Sequence, residues 1–243
     1  MTLDDTALLT LAVLFLAFLI RSTFGFGDAL VGMPLLALLI PVQTAAPLVA
    51  LVSITVALVI MAGDWKHLQF RIALKLVLSS LCGIPFGQWM LHSVDEQIIK
   101  GVLGVVVASF ALFSLLQPRL FELRSDRWAP LFGVPAGVLG GAYNTFGPPL
   151  VIYGMLRRWP AARFRATLQG YFLPVGCFVL IGHAFAGFVT PTVLQHYVWS
   201  LPLVLVAVLI GRELNRRFEV ARFERLIRAL LLAVGIGLLV DVA

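Results

Sequence analysis

Ten apolar segments follow one another along the chain, at about 6–20, 29–40, 45–62, 73–91, 99–116, 128–141, 146–156, 166–186, 193–211 and 226–240. Roughly 20 apolar residues cross a bilayer core as helix, so several of these are long enough to span alone. With 243 residues, 60% of them hydrophobic and only 12% charged, no soluble fold could hide so much Leu, Val, Ile, Ala and Phe. Its surface would be one continuous apolar patch. Lipid is the solvent that resolves this. The expected fold is therefore an all-α, multi-pass integral membrane protein with about eight transmembrane helices. Segments 29–40, 128–141 and 146–156 are too short for a full crossing each, and Gly and Pro divide them. That is the pattern of Gly-rich broken or re-entrant helices.

The net charge of +6 does not point to nucleic acid, because the basic residues sit in short runs between apolar segments. Lys66, Arg71 and Lys75 form one group, and Arg119, Arg124 and Arg127 a second. Arg157, Arg158, Arg163 and Arg165 form a third, and Arg212, Arg216, Arg217, Arg222, Arg225 and Arg228 a fourth. Only Arg21 and Lys100 stand outside them. Two spans separate the first group from the second, and two separate the third from the fourth, so all four can share the cytoplasmic face. Between the second and third groups lie only residues 128–156, which must leave and return. Two full crossings need about 40 residues, so a re-entrant hairpin turning near Gly140–Pro149 is expected.

An internal repeat accompanies this pattern. Phe26-Gly27-Asp28-Ala29-Leu30-Val31 resembles Phe146-Gly147-Pro148-Pro149-Leu150-Val151, and Pro41 and Pro160 follow at matching distances. Pro85-Phe86-Gly87 and Leu209-Ile210-Gly211 also sit at matching places. Loop 63–75 is basic while its counterpart 187–195 is uncharged; loop 93–98 carries Asp95 and Glu96 while its counterpart 212–225 is strongly basic. Charges that swap faces between copies are expected of an inverted-topology repeat. The expected division is a first membrane repeat over 1–116, a cytoplasmic linker over 117–127 and a second repeat over 128–243, with both chain ends outside. Asp4 and Asp5, with no Lys or Arg before Arg21, are unlike a secretory leader, so 6–20 is expected to be kept as the first span.

Two stretches stand out as non-helical backbone at membrane depth, 22–28 and 140–149, which lipid tolerates only around a protein-lined or watery cavity. Helices starting near Ala29 and Pro149 would turn their positive dipole ends toward one region, a way to bind an anion with few charged side chains. The alternative role for these glycines is close helix packing. From this we expect an anion site built from Arg21, Gly25, Gly27, Gly141, Asn144, Thr145 and Gly147. For Arg21 two roles are open: pairing bidentately with an oxyanion, or marking the interfacial end of the first span and snorkelling. Asp28, an intramembrane carboxylate, is a functional candidate that could pair with Arg21 or carry a coupling proton; its other role is a helix N-cap. His183 is a second proton-relay candidate, or a structural histidine. Gln43 with Thr44, and Thr167 with Gln169, are matching polar spots that face the cavity or bond between helices. Cys82 and Cys177 lie in apolar stretches without metal-ligand spacing and are expected to be buried, unreactive thiols. There is no nucleophile elbow, HExxH, Walker sequence or dinucleotide fingerprint, so no enzyme, cofactor or metal is expected.

At its Gly/Pro motifs the sequence resembles the TauE/SafE family of sulfite and organosulfonate exporters. The likeness lies in Gly140-Gly141 and Phe146-Gly147-Pro148-Pro149-Leu150-Val151-Ile152-Tyr153, then Phe164-Arg165-Ala166-Thr167-Leu168 and Tyr171-Phe172. In the first half it lies in Gly25-Phe26-Gly27 and Pro34-Leu35-Leu36. Asp28 stands where that family usually continues with glycine. The resemblance implies an inner-membrane exporter of a small anion such as sulfite or an organosulfonate, with the two Gly-rich motifs near the transport path. Without a nucleotide motif, transport would be secondary, driven by an ion gradient. The partners expected are the anionic substrate and the lipid bilayer, with a homo-oligomer left open. A passive anion channel and a non-transporting assembly subunit are the alternatives.

Overall fold

A chain in lipid has no water to satisfy its backbone, so it folds into segments that satisfy their own N–H and C=O groups. The computed structural model, which describes residues 5–64, 68–116, 121–217 and 231–240, is helical to match. Its helices are α1 (Asp5–Phe24), α2 (Asp28–Ala37), α3 (Val42–Asp64), α4 (Phe70–Ser93), α5 (Glu96–Leu116), α6 (Ala129–Tyr143), α7 (Gly147–Leu156), α8 (Ala161–Phe185), α9 (Pro191–Arg217) and α10 (Leu231–Val240). Among the described residues, six helices (α1, α3, α4, α5, α8 and α9) are long and apolar enough to cross a membrane, where the sequence leads to about eight. Among the described residues, α2 and α7 have ten residues each and α6 has 15. At 1.5 Å per residue these measure about 15 to 22 Å, short of a hydrocarbon core of about 30 Å.

Helices overrun the apolar segments wherever a polar side chain finds a partner inside the protein. The first segment is expected to stop at Ile20, yet α1 runs one turn further because Arg21 is buried. Ser22 and Thr23 donate back to the carbonyls of Phe18 and Leu19, four residues earlier, which keeps that turn helical. Likewise the expected loop 212–225 begins as helix, since α9 continues to Arg217. Here Asn215 donates to the Thr23 carbonyl and accepts from Arg165, tying the ends of α9, α1 and α8 together. Arg71 and Lys75 lie on α4 rather than in a loop. Lys66, Arg119, Arg222, Arg225 and Arg228 lie outside the described residues, as does part of the expected linker 117–127.

The segment 128–156, expected to be a hairpin, has its two ends side by side. The Leu123 N–H donates to the Leu156 carbonyl at 2.8 Å, so the two ends of the segment meet. Arg157 holds the same corner, donating to the Leu123 carbonyl and pairing with Asp126 at 2.8 Å.

Packing pairs distant helices. α1 lies against α9, α6 against α4, and α3 against α8. The α4–α6 contact is a seam of small residues: Gly133, Gly137 and Gly141 on α6 face Ser79, Ser80, Gly83, Ile84 and Gly87 on α4. A Cβ on Gly137 would strike the Ser80 carbonyl, and one on Gly87 the Val138 carbonyl. Such contact brings backbones close enough for dispersion to hold helices together where lipid removes the hydrophobic drive. Polarity is arranged inside out. Leu78, Phe86, Trp89, Val105, Phe178, Ile181 and Leu209 point outward, while Arg21, Asp28, Asn144, Gln169 and His183 are buried. Cys82 and Cys177 correct the expectation of buried thiols: both are free and exposed, because they fall on the outward faces of α4 and α8 beside Phe86 and Phe178.

Candidate anion site

Two breaks in the helices build the site. The first lies between α1 and α2, where Gly25 (φ 88°) and Gly27 (φ 102°) take left-handed conformations open mainly to glycine. The second lies between α6 and α7, where Asn144 takes the left-handed position (φ 54°) and caps α6 through its N–H to the Gly140 carbonyl. Asn tolerates that conformation better than most side chains. The two breaks face each other across a cavity of about 10 Å³ lined by Arg21, Gly27, Asp28, Ser53, Asn144 and Gly147, with Phe146 and Phe172 as aromatic walls. That volume is on the scale of a single water molecule, so a larger ligand enters only when side chains give way.

Arg21, 1% exposed, is the largest fully buried side chain among the described residues. Its Nη1 donates to Asp28 Oδ2 at 2.6 Å and its Nη2 to Gln169 Oε1 at 2.9 Å, and the guanidinium lies 4.9 Å from the centre of the Phe172 ring. Gln169 Nε2 in turn donates to the Gly25 carbonyl at 2.8 Å, so the residue that holds Arg21 also holds the turn. Arg21 therefore does not snorkel to an interface. Asp28 is the first residue of α2, beyond the Gly27 cap, and its carboxylate goes to Arg21.

Proton counting fixes the rest of the network. The Ser53 hydroxyl has one hydrogen, given to Asp28 Oδ2 at 2.6 Å. Toward Asn144 it can only accept, and the Asn144 Nδ2 donates to it at 3.3 Å. Asn144, 3% exposed, is thereby oriented with Oδ1 buried and unpartnered, and Arg21 Nε is buried and unpartnered too.

The sequence-predicted residues divide. Arg21, Gly27, Asp28, Asn144 and Gly147 come together at the cavity. Gly25 does not line it: its carbonyl serves Gln169, and the Arg165 stem lies where its Cβ would be, Cγ at 2.5 Å. Thr145 is buried beside the cavity, donating to the Tyr143 carbonyl at 3.1 Å. Gly141 faces the Ile84 carbonyl of α4. His183 is buried in the last turn of α8 near the Phe188 ring, with neither ring nitrogen partnered, and is not part of the cavity lining. Gln169 bonds between helices as one of its two roles allowed, and Thr167 accepts from the Gln69 N–H. Gln43 and Thr44 are half-buried at the start of α3 and do not line the cavity. Ser53 was missed. Its signal is one hydroxyl, with Thr55 two residues on, in the middle of an apolar span, too common in membrane helices to single out. Among the described residues no three His, Cys, Asp or Glu side chains gather as a metal site.

A model of the sulfite exporter TauE/SafE family matches residues 10–238 of the chain. A curated protein of Cupriavidus necator named "Probable sulfite/organosulfonate exporter TauE" is 24% identical over 220 residues, covering 89% of this chain and 86% of its own. No solved structure matches the chain significantly.

Proposed function

The chain belongs to the TauE/SafE sulfite exporter family of multi-pass membrane proteins, and on that premise we propose that it exports a small sulfur oxyanion across the cytoplasmic membrane, driven by an ion gradient. One observation carries this: a buried arginine at a helix break, in a cavity onto which two further helices open their N-termini. Each such terminus presents unpaired N–H groups and about half a positive charge. The two are unequal, because Pro148 and Pro149 remove N–H groups from the first turn of α7 while α2 keeps those of Asp28, Ala29 and Leu30. Arg21 and the amides of α2 hold the oxyanion, with Asn144 and the Gly147 amide on the opposite wall. Of the two ionisable candidates for coupling, Asp28 lines the cavity and His183 does not.

Transport by alternating access fits an inverted repeat of five helices, α1–α5 and α6–α10. Packing supports this. The first helix of each half lies against the fourth helix of the other, α1 on α9 and α6 on α4, and the two third helices, α3 and α8, lie against each other. These pairs are unchanged when the halves are exchanged. A reporter at each terminus tests the repeat: both read periplasmic if the halves are inverted, and a cytoplasmic C-terminus overturns it.

Efflux from proteoliposomes loaded with sulfite, sulfonates or carboxylates tests the function. The expected result is saturable efflux of sulfur oxyanions that stops when proton and sodium gradients are collapsed. Efflux indifferent to both gradients makes the protein a channel, and no efflux of any anion overturns transport.

A further inference from the structure

The cavity already contains a negative charge. Asp28 sets its carboxylate on Arg21 at 2.6 Å and takes a second hydrogen bond from Ser53, also 2.6 Å. Arg21 is thus not a free cation awaiting a ligand. What remains is the field of two unequal half-helix N-termini, together at most about one positive charge. The unpartnered groups agree. Arg21 Nε offers one donor, whereas Asn144 Oδ1 offers a lone-pair acceptor that repels further negative oxygen. Both side chains line the cavity and are more than nine-tenths buried.

We propose that Asp28 selects the charge of the substrate: by neutralising Arg21 it leaves a cavity that accepts a monovalent sulfur oxyanion, a sulfonate or hydrogensulfite, and rejects a divalent one. This rests on the exporter function proposed above. A monovalent anion balances the helix termini and leaves the cavity near neutral. A divalent anion adds a charge with no counter-charge, a few ångströms from Asp28 and out of water. An unpaired guanidinium about 5 Å from that second charge would, at an effective dielectric near 20, strengthen binding on the order of 100-fold, and this attraction is what Asp28 cancels.

The test is anion binding to the purified protein in detergent, with methanesulfonate and sulfate as probes. Both present a tetrahedral sulfur–oxygen head and neither changes charge near neutral pH. The wild type is expected to bind methanesulfonate at least tenfold more tightly than sulfate. Asp28→Asn is expected to erase or reverse that ratio, and Asp28→Glu, which keeps the charge, to preserve it. Asp28→Asn that binds both anions with the wild-type ratio overturns the inference. So does a wild type that prefers sulfate, which decides the matter even if Asp28→Asn fails to fold. Binding of neither anion to the wild type, together with no efflux from proteoliposomes, instead overturns the exporter function itself and this inference with it.

Discussion

The break between α1 and α2 and the break between α6 and α7 meet the same geometric demand with different chemistry. Both must turn the chain between two helices and start a new helix toward a common cavity. The first uses two left-handed glycines and is flanked by an arginine and an aspartate. The second uses one left-handed asparagine, follows it with two prolines, and carries no charge. The difference shows a division of labour. One break holds the ion pair and the free amides, while the other supplies a rigid neutral wall with one amide side chain. A symmetric pair of charged breaks would bury two ion pairs, each with its own desolvation penalty.

The largest blow to that division is Arg21→Ala. It leaves the Asp28 carboxylate buried without its cation, so we expect loss of about 3–5 kcal/mol of stability and export reduced at least 100-fold. Adding Asp28→Ala is expected to return most of the stability and none of the export. Thermal unfolding in detergent, set beside vesicle efflux, reads both. Export persisting in Arg21→Ala breaks the comparison outright.

A smaller effect separates two glycines of the second break. Gly141→Ala drives a methyl into the Ile84 carbonyl of α4 and is expected to cost about 1–3 kcal/mol, seen as a lower unfolding temperature. Gly147→Ala meets only the flexible Leu30 Cδ1 at 3.1 Å, so stability should stay near wild type while export slows a few-fold. Equal losses of stability in the two variants would remove the distinction between seam and cavity.

The smallest contrast is at the left-handed residues themselves. Gly27→Ala forces a β-carbon into φ 102° and against Ile20, at a cost of about 1–2 kcal/mol. Asn144→Gly keeps the turn and deletes the amide, so the fold should hold while export falls about tenfold. Full export in Asn144→Gly would make the second break a matter of backbone alone.

Much of this was legible in the sequence. The apolar segments locate the ten α-helices among the described residues, and the Phe-Gly motifs mark both breaks, because each depends on residues close together along the chain. Arg21 and Asp28 are only seven apart, and their pairing was among the roles open to them. Legibility fails where the deciding partner is remote. Gln169, 148 residues from Arg21, holds both the guanidinium and the Gly25 carbonyl. Ser53 joins Asp28 to Asn144 from a third helix. Gly141 and Gly147 stand in one motif and look alike, yet one faces α4 and the other the cavity. Cys82 and Cys177 look buried in sequence because an apolar neighbourhood does not tell a core-facing position from a lipid-facing one.

By itself the sequence determined membrane residence, helical structure and the places where helices must break. Lipid imposes these segment by segment, through hydropathy over about 20 residues and the need to satisfy each backbone group locally. The tertiary structure alone decided which face of each helix meets protein, and so which polar residues share a cavity. In lipid that choice turns on shape and hydrogen bonding between helices far apart in the chain, since apolar side chains are equally at home against lipid or protein. The ion pair of Arg21 and Asp28 lies at the junction of the two: two residues beside one break, held in place by Gln169 and Ser53 from α8 and α3.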